Sequence, residues 1–267
     1  MQAVLPMYDL PELRSATDGW WHGIAAHLRR IGLPDVPVAL GRPRDYAASW
    51  LLPDLLLGQT CGYPLTHALA GKVRLVATPR YGAAGCLGSD YSSWIVVRDD
   101  DPALTPADLR GRLAAVNTPD SQSGMNALRD VFAPLAEGGR FFSAVVETGG
   151  HVASLEAVAR GRADVAAIDC VTFALLERVR PAATRGIRKL AQTAAVPSLP
   201  YISSLRTGPQ DLTRLREGLR DAAADPGLAG VRGDLLIEGF DVRPERDYDS
   251  ILEMERRAGA RAYATIG

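Results

Sequence analysis

The chain has 267 residues, 47% of them hydrophobic, and its 30 basic and 31 acidic residues give a formal net charge of −1. This length suits one large domain or two of ordinary size, with an ample core. The balanced charge and the absence of a basic block exclude a general electrostatic attraction to nucleic acid, so we expect no nucleic-acid partner. No apolar run of about 18 residues is present, so we expect no membrane insertion.

The three cysteines, Cys61, Cys86 and Cys170, are widely spaced and odd in number. They form neither a zinc pattern nor a disulfide framework, so the sequence predicts no metal site and no cofactor. The first residues lead straight into a predicted strand, without the basic and apolar regions of a signal peptide. This predicts a cytoplasmic protein, or a periplasmic one from which a signal peptide was removed.

The first part of the chain alternates apolar runs with helical periodicity. Pro11 fits the first position of a helix that continues to about Ile31, with Gly32 just after its end. On this helix, Trp20 and Trp21 are interpreted as packing residues. The predicted strands are residues 3–8, 36–40, 54–59, 73–78 and 93–98, and the further helices are residues 44–51 and 65–70.

The second part repeats this alternation. Thr105 and Pro106 are typical of a capped helix start. The predicted strands are residues 113–116, 145–148, 164–168 and 187–192, and the predicted helices are residues 128–135, 152–160, 171–178, 207–222 and 248–259, with a short helical piece after 225. The alternation predicts the α/β class with mostly parallel sheets.

One stretch stands out, a hydroxyl-rich turn between an apolar strand and a helix. It contains Ser121, Gln122, Ser123 and Gly124. Such a turn presents backbone amides, hydroxyl donors and the positive end of a helix dipole, which together suit an oxyanion. The alternative is an ordinary helix cap, because serine and aspartate are both good capping residues.

Further polar side chains follow other predicted strands, where ligands of open α/β sheets bind. Lysine and arginine are absent from this set of side chains, which favours an anion held by dipoles and hydrogen bonds. Each member has a structural alternative: His151 or Asp169 as a helix cap, Tyr8 or Tyr63 as packing. Cys61 is interpreted as a small buried residue rather than a nucleophile. The candidate ligand-binding residues are Tyr8, Thr60, Cys61, Gly62, Tyr63, Ser121, Gln122, Ser123, Gly124, His151, Asp169 and Tyr201. No catalytic residue is assigned, since Ser121, His151 and Asp169 lack the surrounding motif of a hydrolase triad.

These motifs resemble a known family. The run from His151 to Asp169, the start Asp120-Ser-Gln-Ser-Gly124 and the turn Gln59-Thr-Cys-Gly-Tyr-Pro64 are similar to those of the phosphate, phosphite and phosphonate-binding proteins of ABC transporters. Those are type II periplasmic binding proteins, and the resemblance covers residues 3–205. It implies an α/β fold of two lobes with a two-stranded hinge, near residues 91–94 and 197–203, and a ligand cleft between the lobes.

The resemblance also implies roles for the candidate residues. Lobe 1 would comprise residues 1–92 and 196–267, and lobe 2 residues 93–195. Ser121, Ser123 and Gly124 would hold phosphoryl oxygens, and His151 would donate from lobe 2. Tyr8, Thr60 and Tyr63 would close from lobe 1, with Asp169 at the back of the cleft. Gln122 stands where the family often has threonine, so we expect it to change the size or polarity of the preferred ligand.

Two functions remain open from the sequence. The first is a binding protein that captures a small anionic ligand of the phosphate or phosphonate class, working with an ABC permease or as a cytosolic sensor. The alternative is a cytosolic enzyme on the same fold, acting on a small carboxylate or a nucleoside-like substrate. The lack of a clear acid–base pair favours binding over catalysis. The oligomeric state is not indicated.

Overall fold

A computed structural model describes every residue from Met1 to Gly267. Its strands are β1 (Gln2–Val4), β2 (Leu55–Gln59), β3 (Val73–Tyr81), β4 (Asp90–Tyr91), β5 (Ser93–Arg98), β6 (Leu113–Val116), β7 (Ala144–Glu147), β8 (Val165–Asp169), β9 (Ile187–Gln192), β10 (Val196–Pro197), β11 (Tyr201–Ser204) and β12 (Ile237–Asp241). Its α-helices are α1 (Arg14–Arg30), α2 (Tyr46–Ser49), α3 (Gly62–Thr66), α4 (Ala127–Phe132), α5 (His151–Ala159), α6 (Cys170–Val179), α7 (Pro209–Ala224), α8 (Ala229–Asp234) and α9 (Asp249–Ala260). None of these helices has both the length and the apolar character of a membrane span.

The chain divides into two compact units. Unit 1 comprises residues 1–82 and 197–247, and unit 2 comprises residues 83–196 and 248–267. The lobes predicted from the sequence differ from these units in two places, because residues 83–92 and 248–267 were expected in lobe 1 and lie in unit 2. The reason for the second difference is that the last residues complete the core of unit 2: Tyr263 is fully buried there, and the Phe141 and Phe142 amides donate to the Gly267 carbonyl at 2.6 and 3.0 Å.

Unit 1 contains a five-stranded sheet in the order β1-β2-β11-β3-β12. β1 pairs with β2 in parallel, whereas β11 runs antiparallel to both β2 and β3, and β12 runs antiparallel to β3. Helix α1 packs its apolar side inward, and Trp20 and Trp21 are 1% and 0% exposed. The predicted packing role of the two tryptophans is therefore confirmed.

Unit 2 contains a second five-stranded sheet, in the order β7-β6-β8-β5-β9. Its centre is parallel, since β6 pairs in parallel with both β7 and β8, but β5 runs antiparallel to β8 and β9. Both sheets are thus mixed, and the expectation of mostly parallel sheets is wrong. Strands such as β11 and β5 enter their sheets from long connections, so alternation along the chain does not fix their direction.

Two elements of unit 1 also differ from the sequence prediction. Residues 36–40 form no strand. Pro37 lacks an amide for a strand ladder, and the Arg29 guanidinium takes the carbonyls of Val36 and Pro37 at 3.1 and 2.9 Å. Conversely, β12 was not predicted, although it forms the edge of the sheet beside β3.

Candidate functional site

The hydroxyl-rich turn follows β6 and begins with a π-helical turn, Gln122–Asn126, that continues into α4. Ser121 caps it, because its Oγ accepts a hydrogen bond from the Gly124 amide at 3.0 Å. Single π-helical turns are rare and often lie at functional sites. The amides of a first helical turn lack carbonyl acceptors within the helix, and the helix dipole adds partial positive charge there.

Gly124 is essential to the shape of this turn. A Cβ at this position would lie 1.9 Å from Asn117 Oδ1 and 2.5 Å from Asn117 Cγ. Asn117 follows directly after β6, so its side chain packs over the glycine. The missing side chain therefore lets the end of the strand and the start of the helix approach each other closely.

Ser123 and His151 come together although 28 residues separate them. Ser123 Oγ lies 2.8 Å from His151 Nε2, at hydrogen-bond distance. His151 is the first residue of α5, after the turn that follows β7. Ser123 is 5% exposed. The structure thus brings two of the predicted ligand groups to one point.

The backbone around this pair holds it in place. The Gly149 amide donates to the Asn117 carbonyl at 2.7 Å, and the Thr148 hydroxyl donates to the Val116 carbonyl at 3.0 Å. On the other side, the Ser93 hydroxyl donates to the Ser123 carbonyl at 2.9 Å. The loops after β6 and β7 and the start of β5 therefore fix the positions of Ser123 and His151.

His151 is neutral at physiological pH. Burial lowers the pKa of its imidazole to about 4, and the nearby backbone of Ala167 opposes this only in part. Nδ1 is enclosed, and no carboxylate reaches it. The ring therefore contributes a neutral donor or acceptor, not a cation.

The opposite side of the π-helical turn faces a buried polar network. The Gln122 amide nitrogen donates to Met254 Sδ at 3.3 Å, and the Gln122 carbonyl oxygen accepts from Asn126 Nδ2 at 2.7 Å. Asn126 also donates to the Ile251 carbonyl at 3.1 Å and accepts from Arg129 Nη2 at 2.6 Å. These contacts give Gln122 a positioning role against α9, and its influence on the size or polarity of the ligand stays a prediction.

Asp169 ends β8 and caps the next helix. Its Oδ1 accepts from the Thr172 amide at 2.7 Å, and the residue is 1% exposed. It pairs across the sheet with Ser93, the residue that holds the Ser123 carbonyl. The capping alternative for Asp169 is thus observed, while its contact with a ligand stays a prediction.

Six of the predicted site residues lie in unit 1, where the aromatic ones are packed. Tyr201 is 2% exposed, and its hydroxyl accepts from Trp20 Nε1 at 3.2 Å. Burial raises the pKa of this tyrosine well above its usual value. Tyr8 packs edge-on against Tyr81, with ring centroids 5.2 Å apart. These contacts give both residues a structural role in unit 1, and a ligand contact by either remains a prediction.

The turn from β2 to α3 holds the other four. The buried Thr60 amide donates to the Pro200 carbonyl at 3.1 Å, Cys61 precedes the helix, and Gly62 begins it. The Tyr63 ring stacks on His67 with centroids 3.8 Å apart. Gln59, which the sequence prediction left out, donates to the Tyr81 hydroxyl at 2.9 Å and anchors the end of β2.

Residues 53–248 match the model of one protein family, described as the phosphonate periplasmic substrate-binding protein of ABC transporters. The matched range contains the π-helical turn, His151 and Asp169, and it covers most of the chain. The chain belongs to this family. Its membership confirms the predicted resemblance and the predicted class of function, a substrate-binding protein of the phosphonate type.

Solved structures of the same fold agree with this membership. The chain superposes on a binding protein component of an ABC phosphonate transporter from Pseudomonas aeruginosa with a TM-score of 0.74 and 18% identity, covering 93% of this chain and 85% of that one. PhnD1 from Prochlorococcus marinus in complex with methylphosphonate gives a TM-score of 0.75 and 15% identity, with 97% and 98% covered. The protein XAC2383 from Xanthomonas citri bound to ATP gives 0.70 and 17%, with 97% of each chain covered.

At these identities the likeness shows the fold, and it confirms the predicted two-lobe periplasmic-binding-protein class. No curated protein matches the chain significantly. The choice of ligand within the family therefore has to be argued from the residues of this chain.

Proposed function

We propose that this family member binds the phosphoryl or phosphonyl group of a small ligand at the π-helical turn of unit 2. The observation that carries the proposal is the Ser123–His151 contact of 2.8 Å at a helix start. At this helix start, the position of Gly124 leaves no room for a side chain. When Nε2 carries the imidazole proton, it donates to Ser123 Oγ. The Ser123 hydroxyl hydrogen is then free to point at an oxyanion.

The electrostatics of the turn support a ligand held by dipoles. The segment from Ser121 to Asn126 contains no lysine or arginine, and His151 is neutral. Backbone amides at a helix start bind phosphate-type anions without a charged partner. A hydrogen bond to a charged group contributes about 1.5–3 kcal/mol, so a few such donors suffice for tight binding.

We further infer that the protein delivers its ligand to an ABC permease and works in the periplasm. Support comes from the description of the family as periplasmic and as part of an ABC transporter. Fractionation of cells expressing the full-length gene checks the location. Recovery with cytoplasmic markers alone would favour a cytosolic sensor instead.

The experiment for the ligand is a thermal-shift panel on the purified chain. Methylphosphonate, an aminoalkylphosphonate, phosphite and phosphate are compared with sulfate and with acetate. A ligand that binds only the folded state raises the Tm by mass action, about 2.7 kcal/mol of stabilisation at a concentration of 100 Kd. We expect the phosphonates to give the largest shift. A shift with acetate and none with the phosphoryl compounds would contradict the proposal.

The Ser123–His151 pair also keeps the enzymatic alternative in view, because a serine beside an imidazole is the beginning of a nucleophile–base arrangement. No carboxylate reaches His151 Nδ1, so the third member of a hydrolase triad is missing. The two functions separate by product analysis. A binding protein returns its phosphonate chemically unchanged after denaturation, whereas an enzyme releases a new compound.

A further inference from the structure

Two cysteines that play no part in the proposed site lie in contact in unit 2. Cys86 and Cys170 are 84 residues apart in the chain, and their Sγ atoms are 3.5 Å apart. Cys170 is fully buried at the first position of α6, directly after Asp169. Cys86 is partly exposed, in the loop between β3 and β4. One thiol is therefore held inside the unit, and its partner faces solvent in part.

The local structure is shaped to bring the two thiols together. A Cβ at Gly85 would lie 2.9 Å from Cys170 Cβ, so only glycine lets the loop approach the helix start this closely. The Ser92 hydroxyl donates to the Gly85 carbonyl at 2.9 Å, and the Cys170 amide donates to the Ser92 carbonyl at 3.1 Å. Ser92 thus ties the Cys86 loop and the start of α6 to each other.

Closing a disulfide requires only a small movement. The sulfurs must approach from 3.5 Å to about 2.05 Å, a shift of about 1.5 Å. Cys170 is fixed by the first turn of α6. Cys86 lies between Gly85 and Gly88, whose φ angles of 100° and 59° are ones that glycine adopts without strain.

We propose that Cys86 and Cys170 are a redox-modifiable pair that closes to a reversible disulfide by exchange with a disulfide oxidant. The Cys86 thiolate attacks the oxidant, forming a mixed disulfide and releasing one thiol. The Cys170 sulfur then attacks Cys86 Sγ, its proton passes to the departing sulfur of the mixed disulfide, and the second thiol is released. The two protein thiols give up two electrons and two protons, and the oxidant disulfide becomes two thiols.

The order of attack follows from the environment of each thiol. The hydrogen bond with Cys86, burial and the nearby Asp169 raise the pKa of the Cys170 thiol far above its usual value. Reaction begins with the thiolate form, so the partly exposed Cys86 reacts first. Cys170 then resolves the mixed disulfide because it is already in contact. The disulfide would tether the Cys86 loop to the helix start beside Asp169.

The test uses the reduced full-length protein and oxidised glutathione. After exchange, the protein is unfolded in denaturant, its free thiols are alkylated, and it is analysed by intact mass and peptide mapping. We expect one alkylated cysteine, Cys61, no bound glutathione, and a peptide that joins Cys86 to Cys170. Dithiothreitol should restore three alkylated cysteines. Three alkylated cysteines after oxidation, or glutathione retained on Cys86 without the link, would overturn the proposal.

Two variants sharpen the result. In Cys61→Ser, oxidation should leave no alkylated cysteine, because the remaining two are joined. In Cys86→Ser, which changes the partly exposed thiol, Cys170 should stay alkylatable after unfolding, and no link to Cys61 should form. A link between Cys61 and Cys170 would mean that the thiols react through an unfolded state, which also contradicts the proposal.

Discussion

Two helix starts of unit 2 use the same device with different charges. Ser121 caps the π-helical turn through its hydroxyl, and Asp169 caps α6 through its carboxylate, each accepting from an amide three residues later. The carboxylate of Asp169 itself meets the positive end of its helix. The neutral Ser121 does not, so the dipole at its helix remains available to a ligand. The comparison teaches that the charge of the capping residue decides which helix start can take an anion.

The largest expected effect is that of Gly124→Ala. The new Cβ would collide with Asn117 Oδ1, and overpacking of this kind costs about 1–3 kcal/mol of stability in a tightly packed site. The shift of the turn should also abolish anion binding at millimolar methylphosphonate. Thermal unfolding and calorimetry measure the two losses.

A second substitution makes this result decisive. Asn117→Ala removes the atoms in the way, so the double variant should recover part of the lost stability and binding. If Gly124→Ala binds as well as the wild type, close approach at this glycine is unimportant.

The neutral state of His151 predicts how stability varies with pH. Its pKa in the folded protein, about 4, lies below its unfolded value of about 6.5. As pH falls, the unfolded state therefore binds the proton before the folded state does. The contribution of His151 to the free energy of unfolding is present above pH 6.5 and is lost as pH falls toward 4. The full loss is on the order of 3 kcal/mol, because each unit of pKa difference corresponds to about 1.36 kcal/mol.

His151→Gln is the matched variant for this measurement. Denaturant unfolding between about pH 4 and 7 should show a weaker pH dependence in the variant. The ratio of wild-type to variant affinity for methylphosphonate should stay constant between about pH 5.5 and 8, because the imidazole does not titrate there. A ratio that rises toward low pH would show an imidazolium donor.

The network behind the π-helical turn should matter for stability. Asn126 is fully buried and bonds to Gln122, Ile251 and Arg129. Asn126→Ala leaves those partners unsatisfied, and we expect a loss of about 2–3 kcal/mol in the free energy of unfolding. Gln210→Ala, at an exposed position of α7, serves as the control. Equal unfolding of both variants would contradict a bracing role for the network.

The smallest expected effect belongs to the other helix start. Asp169→Ala removes the cap of α6 and should cost about 1 kcal/mol of stability. Affinity for methylphosphonate should change less than threefold, a limit we set at about 0.6 kcal/mol. A tenfold loss of affinity at unchanged stability would instead make Asp169 a ligand group, as the family resemblance implies.

The sequence predicted the features that depend on a local pattern or on the family resemblance. The capping role of Ser121 is local, because its partner amide lies three residues later, and the resemblance placed Ser123 and His151 in one site. The π-helical geometry and the Asn117–Gly124 contact could not be read from the sequence, because they depend on how β6 enters the helix. The prediction at residues 36–40 failed because the side chain of Arg29, at the end of α1, takes the carbonyls there, a contact that the strand pattern itself does not show.

The contribution of the C-terminal residues was also hidden. Asn126 meets Ile251 across 125 residues, and Arg129 donates to the Ala264 carbonyl across 135. The resemblance ended near residue 205, so nothing in the pattern connected α9 to the turn. Long-range pairing of buried polar groups has no periodic signature in a sequence. The assignment of residues 248–267 to lobe 1 therefore came from the two-lobe arrangement that the resemblance implies, and from no contact readable in the sequence.

The most direct test of the account is the affinity of Ser123→Ala for methylphosphonate, measured by calorimetry beside Ser143→Ala. Ser143 is an exposed serine of the same unit, so its variant controls for loss of a hydroxyl in general. We expect Ser123→Ala to bind at least about tenfold more weakly, since a hydrogen bond to a charged group contributes about 1.5–3 kcal/mol. Ser143→Ala should bind like the wild type. Equal affinity in all three proteins would show that the turn is only a helix cap and that the ligand binds elsewhere.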